Sequence, residues 1–232
     1  MANYIIEFRF QSKRIRSYLK EMIYEINKRF GVGKKKHVPH ITLVGPITTN
    51  QEQRLISDFA RICSETALMK FKGRGFGTFD SNKVVFVNIG PSDKLNNFRI
   101  TLVQALKSYC SLQSQDKRTD NFGYHSTLAM NLNQKEFDLI KEHIKNKQAP
   151  DFTQIIMRVT LLKKGKILRE YDFMQRRLFN RRQAKNKRVL TRSKSLLKLF
   201  MQGKYNPKMR TPSKNIVKKT ILERIISFFT RK

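Results

Sequence analysis

Three features of this sequence predict an α+β fold, a duplicated unit of antiparallel strands with flanking helices. Helical and strand periodicities alternate along residues 1–175. The order helix, strand, helix, hairpin occurs twice, over about 1–90 and 91–175. Each occurrence contains one strand with the pattern His-x-Thr, His40-Ile41-Thr42 and His125-Ser126-Thr127. A pseudo-twofold arrangement of the halves would set these strands face to face across a central cleft. The composition changes after Gln175, and residues 176–232 read as a basic, partly helical C-terminal extension.

The elements follow in order. Residues 3–10, NYIIEFRF, alternate as a strand. Over 12–30, Ile15, Leu19, Met22, Ile23, Ile26 and Phe30 recur at helical spacing. In HVPHITLVGP (37–46), Val38, Ile41, Leu43 and Val44 make a strand that Gly45-Pro46 is expected to stop. Thr49 or Asn50 then caps a helix with Leu55, Ile56, Phe59 and Cys63 on one face. Residues 69–79 and 83–90 flank Asp80-Ser81-Asn82, a hairpin signal. The second half opens with Ser92 capping a helix that carries Leu95, Phe98, Leu102 and Leu106. A polar loop, 113–123, leads to the His125 strand. Asn133 caps a helix with Phe137, Ile140 and Ile144, and 153–174 reads as a hairpin turning at Lys164-Gly165. His40 precedes the turn residue Asn82 by 42 positions and His125 precedes Gly165 by 40. The duplication is one of order and spacing, not of identity.

Composition narrows the partners. The 232 residues carry 49 Lys+Arg against 17 Asp+Glu, a formal net charge of +32. A field of that sign favours a polyanion, either nucleic acid or an anionic membrane surface. Cys63 and Cys110, the only cysteines, fall on inner helix faces and read as buried thiols. They support neither a disulfide framework nor a cysteine-based zinc site. No apolar run approaches the length of a membrane span. The start, MANYIIEFRF, lacks a basic region followed by a long apolar one, so it is not read as a secretory signal. A reducing, cytoplasmic setting and a monomer are expected.

One His-x-Thr strand is weak evidence; two at equivalent points of similar halves are much stronger. Alternation along a strand puts His40 with Thr42, and His125 with Thr127, on one face. Two facing imidazoles suit paired acid–base work near neutral pH. Threonine hydroxyls can donate to phosphate oxygens as charge develops. Two histidines alone would under-coordinate a metal, and no carboxylate stands beside them in sequence, so neither metal nor cofactor is expected. Tyr124, next to His125, should point into the core. His37 reads as a solvated loop residue and His143 as a helix-surface residue.

The paired motifs on strands of a duplicated α+β unit resemble the two-histidine (2H) phosphoesterase superfamily, in its branch of 2′-5′ RNA ligases and RNA 2′,3′-cyclic phosphodiesterases. The resemblance covers about residues 1–175. It implies a bilobal fold around a basic cleft and chemistry on RNA ends that needs neither ATP nor metal. A 2′,3′-cyclic phosphate would be opened to a 2′-phosphate, or joined to a 5′-hydroxyl end, as in tRNA processing. His40, Thr42, His125 and Thr127 are the positions onto which the family's catalytic residues carry over. Many members have a basic residue soon after the second motif, and this chain has none before Lys135. Phosphate clamping is then expected from Lys34, Lys35 or Lys36, or from Arg158, and Phe122 could stack on a base. A 3′-end RNA exonuclease of the same fold and a non-catalytic RNA-binding protein are the alternatives.

The extension holds 19 of the 49 basic residues and one acid, Glu223. Residues 176–188 read as a basic helix or arm. Ser193 is expected to cap a short helix that Gly203 ends, and 204–214 to be a linker. Val217, Ile221, Ile225, Phe228 and Phe229 stripe a final amphipathic helix. RNA capture is the expected use of the extension. Peripheral membrane contact through the last helix is the less favoured one.

Overall fold

Strand β1 (Ala2–Arg9) shows how this chain sorts its side chains. Tyr4, Ile6 and Phe8 are buried, while Ile5 and Arg9, at alternate positions, are half-exposed. One face of the strand therefore enters the core and the other carries Glu7 and Arg9. A computed structural model of the protein describes residues 2–33, 38–118 and 122–207. Lys34, Lys35, Lys36 and His37 lie outside the described residues, as does the final amphipathic stretch.

After β1 come α1 (Lys13–Phe30), β2 (His40–Thr49), α2 (Glu52–Glu65) and the hairpin β3 (Lys70–Phe79) and β4 (Val84–Pro91). Then follow α3 (Asp93–Leu106), β5 (His125–Ala129), α4 (Gln134–Lys145) and β6 (Asp151–Ile155). The hairpin β7 (Arg158–Lys163) and β8 (Lys166–Asp172), then β9 (Arg177–Asn180), α5 (Arg181–Lys185) and α6 (Lys187–Met201) complete the described chain. Caps fix the helix starts: Ser12, Ser92 and Asn133 each accept a backbone N–H, and Asn133 forms a reciprocal box with Glu136.

The strands form two antiparallel sheets, β2-β1-β7-β8-β9 and β5-β4-β3-β6. Each sequence half gives its histidine strand to one sheet and its hairpin to the other. The two lobes are thus interleaved, and the fold is the mixed helix and antiparallel-sheet class that the sequence predicts. Helix α2 packs on the first sheet, α1 and α4 on the second, and α3 touches strands of both. The apolar sheet faces and helix stripes meet in one continuous core. Burying each Leu or Phe there contributes roughly 1.5–3 kcal/mol, so the apolar alternation decides which sheet face turns inward.

Several local expectations are corrected. Gly45-Pro46 does not end β2, which runs on to Thr49 with a register shift against β1. Gly45 takes φ 125°, and a Cβ there would stand 2.9 Å from Tyr4 O. Pro46 is tolerated because β2 is the edge strand of its sheet and the position falls in the register shift against β1. Helix α2 starts after Gln51, with Thr49 Oγ1 accepting from Gln51 N and donating to Tyr109 O. The stretch 153–174 is not one hairpin: its first residues belong to β6 in the second sheet, and β7 crosses to the first. His143 is not a surface residue, because Glu25 Oε1 lies 3.0 Å from its Nε2 and Phe30 packs edge-on to it between α1 and α4.

The largest difference lies after Gln175. Residues 177–180 add an edge strand to the first sheet, with Leu178 opposite Tyr171 and Phe179 opposite Glu170. Ser193 caps nothing. It sits buried inside α6, whose cap is Asn186. Its Oγ contacts Asp172 Oδ2 and accepts from Arg158 Nη2 at 2.9 Å. Tyr205 donates to Met174 O at 2.6 Å and ties down the segment beyond α6. Among the described residues no helix is long and apolar enough to cross a membrane.

Candidate active site

Both His-x-Thr motifs occupy edge strands, and the two edges, β2 and β5, lie against each other where the sheets meet. In each motif the histidine and threonine are half-exposed while the residues between and after them are buried. Ile41 and Leu43 fill the core on one side, Ser126 and Leu128 on the other. Burial of the alternate residues thus holds His40, Thr42, His125 and Thr127 on the accessible faces.

The imidazoles are oriented alike. His40 Nδ1 lies 2.8 Å from Val38 O, and His125 Nδ1 lies 2.8 Å from Gly123 O, the carbonyl two residues back in each case. A carbonyl only accepts, so Nδ1 carries the proton in both rings. In the neutral ring this leaves Nε2 as the basic nitrogen. Two strands of different sequence have arrived at the same tautomer.

Their surroundings differ. On β1, Arg9 is the register partner of His40 and Glu7 that of Thr42. Glu7 Oε2 stands 3.8 Å from His40 Nε2, and Glu7 Oε1 accepts from Arg9 Nε at 2.8 Å. A carboxylate is therefore present at this site, contrary to expectation. His125 stands instead among rings, with Phe79 edge-on at 5.0 Å and Phe86 at 5.2 Å between centroids. Burial is the leading cause that pushes the His125 pKa below its ordinary 6.5; the bond to Gly123 O opposes it, and the charge of His40 adds a lesser lowering. A cavity of about 560 Å³ opens at the Thr127 end, reaching Asn27, Gly33 and Met130.

The other expected site residues separate. Arg158 is not available to a phosphate. It is buried, with Nε donating to Asp172 at 2.6 Å, Nη1 to Glu170 at 2.8 Å and Nη2 to Ser193. Phe122 packs against the core with the Arg99 guanidinium 3.5 Å over its ring, so one face is already covered. Tyr124 is buried as expected and donates to Asn96 Oδ1 at 3.0 Å.

Sequence reading missed Arg99 and the Glu7–Arg9 pair. Arg99 is fully buried and donates to Leu43 O on β2 at 3.1 Å. It also donates to Asp116 O and Arg118 O, both at 2.8 Å, in the loop leading to β5. Asp116 in turn accepts from Gly45 N at 3.1 Å, and burial raises its carboxyl to about 6. Arg99 thus ties the first histidine strand to the approach of the second. The available signal was its position four residues after Leu95, on the apolar stripe of α3. For Glu7 and Arg9 it was strand alternation, which puts them on the face of β1 away from Tyr4, Ile6 and Phe8.

Interleaved antiparallel sheets joined at two edges that each carry a His-x-Thr strand define a two-histidine phosphoesterase fold. The family model of the 2′-5′ RNA ligase superfamily matches residues 13–166, more than half of the chain, and the protein belongs to that superfamily. TT0787 of Thermus thermophilus is similar in fold, with TM-score 0.51 and 13% identity over 73% of this chain and 97% of its own. LigT of E. coli, solved with NADP+, gives TM-score 0.49 and 15% identity over 74% and 97%. A solved phosphoesterase gives 0.48 and 16% over 77% and 93%. No curated protein matches.

Proposed function

We propose that the protein is a metal- and ATP-independent enzyme of RNA ends that opens a 2′,3′-cyclic phosphate to a 2′-phosphate. His125, held toward its neutral form by burial, is the base. Its Nε2 takes a proton from water as the water oxygen bonds to phosphorus. The P–O3′ bond breaks, and protonated His40 gives its Nε2 proton to O3′, leaving a 3′-hydroxyl beside the 2′-phosphate. With a 5′-hydroxyl in place of water, the same steps yield a 2′-5′ linkage. Thr42 and Thr127 donate to the non-bridging oxygens as charge builds on them. Arg9, beside His40 in the register, takes the clamping role that Arg158 cannot fill.

The observation that carries this reading is the matched Nδ1-to-carbonyl bond at both histidines, which aims two equivalent nitrogens from adjoining strands. The test is incubation with an RNA oligonucleotide ending in 2′,3′-cyclic phosphate, without ATP and with EDTA, followed by identification of the end. A 2′-phosphate is expected. A 3′-phosphate product, or no product, would overturn the reading.

A further inference from the structure

The polar face of the first sheet is divided. Register pairing places His40 and Arg9, Thr42, Glu7 and Thr160, then Arg158, Glu170 and Asp172, on one face. Over β2 and β1 that face carries the His40 motif. Over β8 and β9 it is covered by α5 and α6, because Arg158 donates to Ala184 O as well as to Ser193. The helices are therefore a wall on the catalytic face. β8 lies three strand spacings from β2, about 14 Å.

This wall has one sign. Residues 181–207 contain nine Lys or Arg and no acid. All nine are exposed, among them Arg181, Arg182, Lys185, Arg188, Arg192 and Lys198. Of the apolar residues of α6, Val189, Leu190, Leu196, Leu197 and Phe200 are half-buried, and only Leu199 and Met201, at its C-terminal end, are exposed. A helix that lies on a membrane must present its apolar side outward. Here the exposed positions are mainly cationic, which fits a phosphate backbone.

We infer that the outward basic face of α5 and α6 binds the body of a single-stranded RNA whose end lies in the cleft. This rests on the RNA-end reading for its direction, but not on the chemistry. The wall cannot be studied by cutting it away, because truncation before Ser193 would strip partners from the buried Arg158 and Asp172. The test therefore uses the full chain with Arg181→Gln, Arg182→Gln, Arg188→Gln and Arg192→Gln combined. The probe is a 20-nucleotide RNA with an ordinary 3′-hydroxyl, titrated over a range of salt. Affinity should fall by at least about tenfold, and the slope of log K against log salt should flatten by up to about 3, roughly 0.7 per phosphate contact. Preference for this RNA over a dinucleotide should fall with it. If the combined variant melts early, Lys194→Gln with Lys198→Gln carries the test, with about half the flattening expected. An unchanged RNA slope overturns the inference, including the case where binding to phosphatidylserine vesicles is what falls. Failure of the end chemistry is distinguishable, since the variant's slope would still flatten while the unaltered protein yields no product from a cyclic-phosphate oligonucleotide.

Discussion

His40 and His125 are anchored by the same bond and set in opposite surroundings. His40 faces a buried carboxylate and an arginine from β1; His125 faces two phenylalanine rings from the β3–β4 hairpin. Interleaving explains how this came about. β2 is paired with β1 of its own half while β5 is paired with β4 of the other half, so the surroundings differ while the motifs stay alike. Near-symmetry of motif thus goes with unlike environments.

The strongest way to break the comparison is to remove either ring. His40→Ala and His125→Ala should each lower turnover of a cyclic-phosphate oligonucleotide by about 10²–10⁴, with RNA affinity and melting temperature nearly unchanged. Turnover that survives either change would mean that the rings do not share acid–base work. The hydroxyls come next. Thr42→Val and Thr127→Val keep the β-branched shape and remove a donor, and each should cost roughly 10²–10³ in kcat. Equal losses would support a symmetric hold on the phosphate. Normal turnover in both would make them ordinary strand hydroxyls.

The near-symmetric part was legible in the sequence because it is local. Alternation fixes which side His40, Thr42, His125 and Thr127 take, and caps and glycines fix the element order. What depended on distant partners was not legible. Arg158 looks like a basic residue on a strand, and only the register with Asp172 and the docking of α6 turn it inward. Ser193 resembles a cap because a serine before an apolar run usually is one, yet the helix starts at Asn186 and uses the hydroxyl as a buried anchor. β9 is hard to read as a strand from sequence because its apolar residues, Leu178 and Phe179, are only two among arginines, and its pairing is supplied by β8. The unlike surroundings of the two histidines come from β1 and the β3–β4 hairpin, neither adjacent in sequence to its histidine.

A smaller effect tests the charged side. Arg9→Gln removes the cation paired in register with His40 and leaves Glu7 in place. Losing a charge-assisted contact to phosphate should raise KM about tenfold, with kcat changing less. A loss confined to kcat would instead make Arg9 a holder of Glu7 and not a phosphate contact.

The smallest effect sharpens the aromatic side. The acidic limb of kcat/KM reports the base of the free enzyme, and with His125 as base it should lie below pH 6.5, since burial lowers that pKa. Protonation of a lowered-pKa histidine is lost early as pH rises, so activity climbs before neutral pH. Phe79→Ala admits water beside the ring and weakens the first cause of the lowering. The limb should then move up toward 6.5 by a fraction of a pH unit. His40→Ala removes the lesser lowering cause, the neighbouring charge, and should also raise the His125 pKa. That variant cannot be followed by turnover, so the His125 ring is titrated by NMR in both variants. Upward shifts in both, the larger in Phe79→Ala, would agree with burial as the leading cause. A limb that stays in place in Phe79→Ala while the NMR titration moves would show that another group sets the limb, and His125 would lose its assignment as the base.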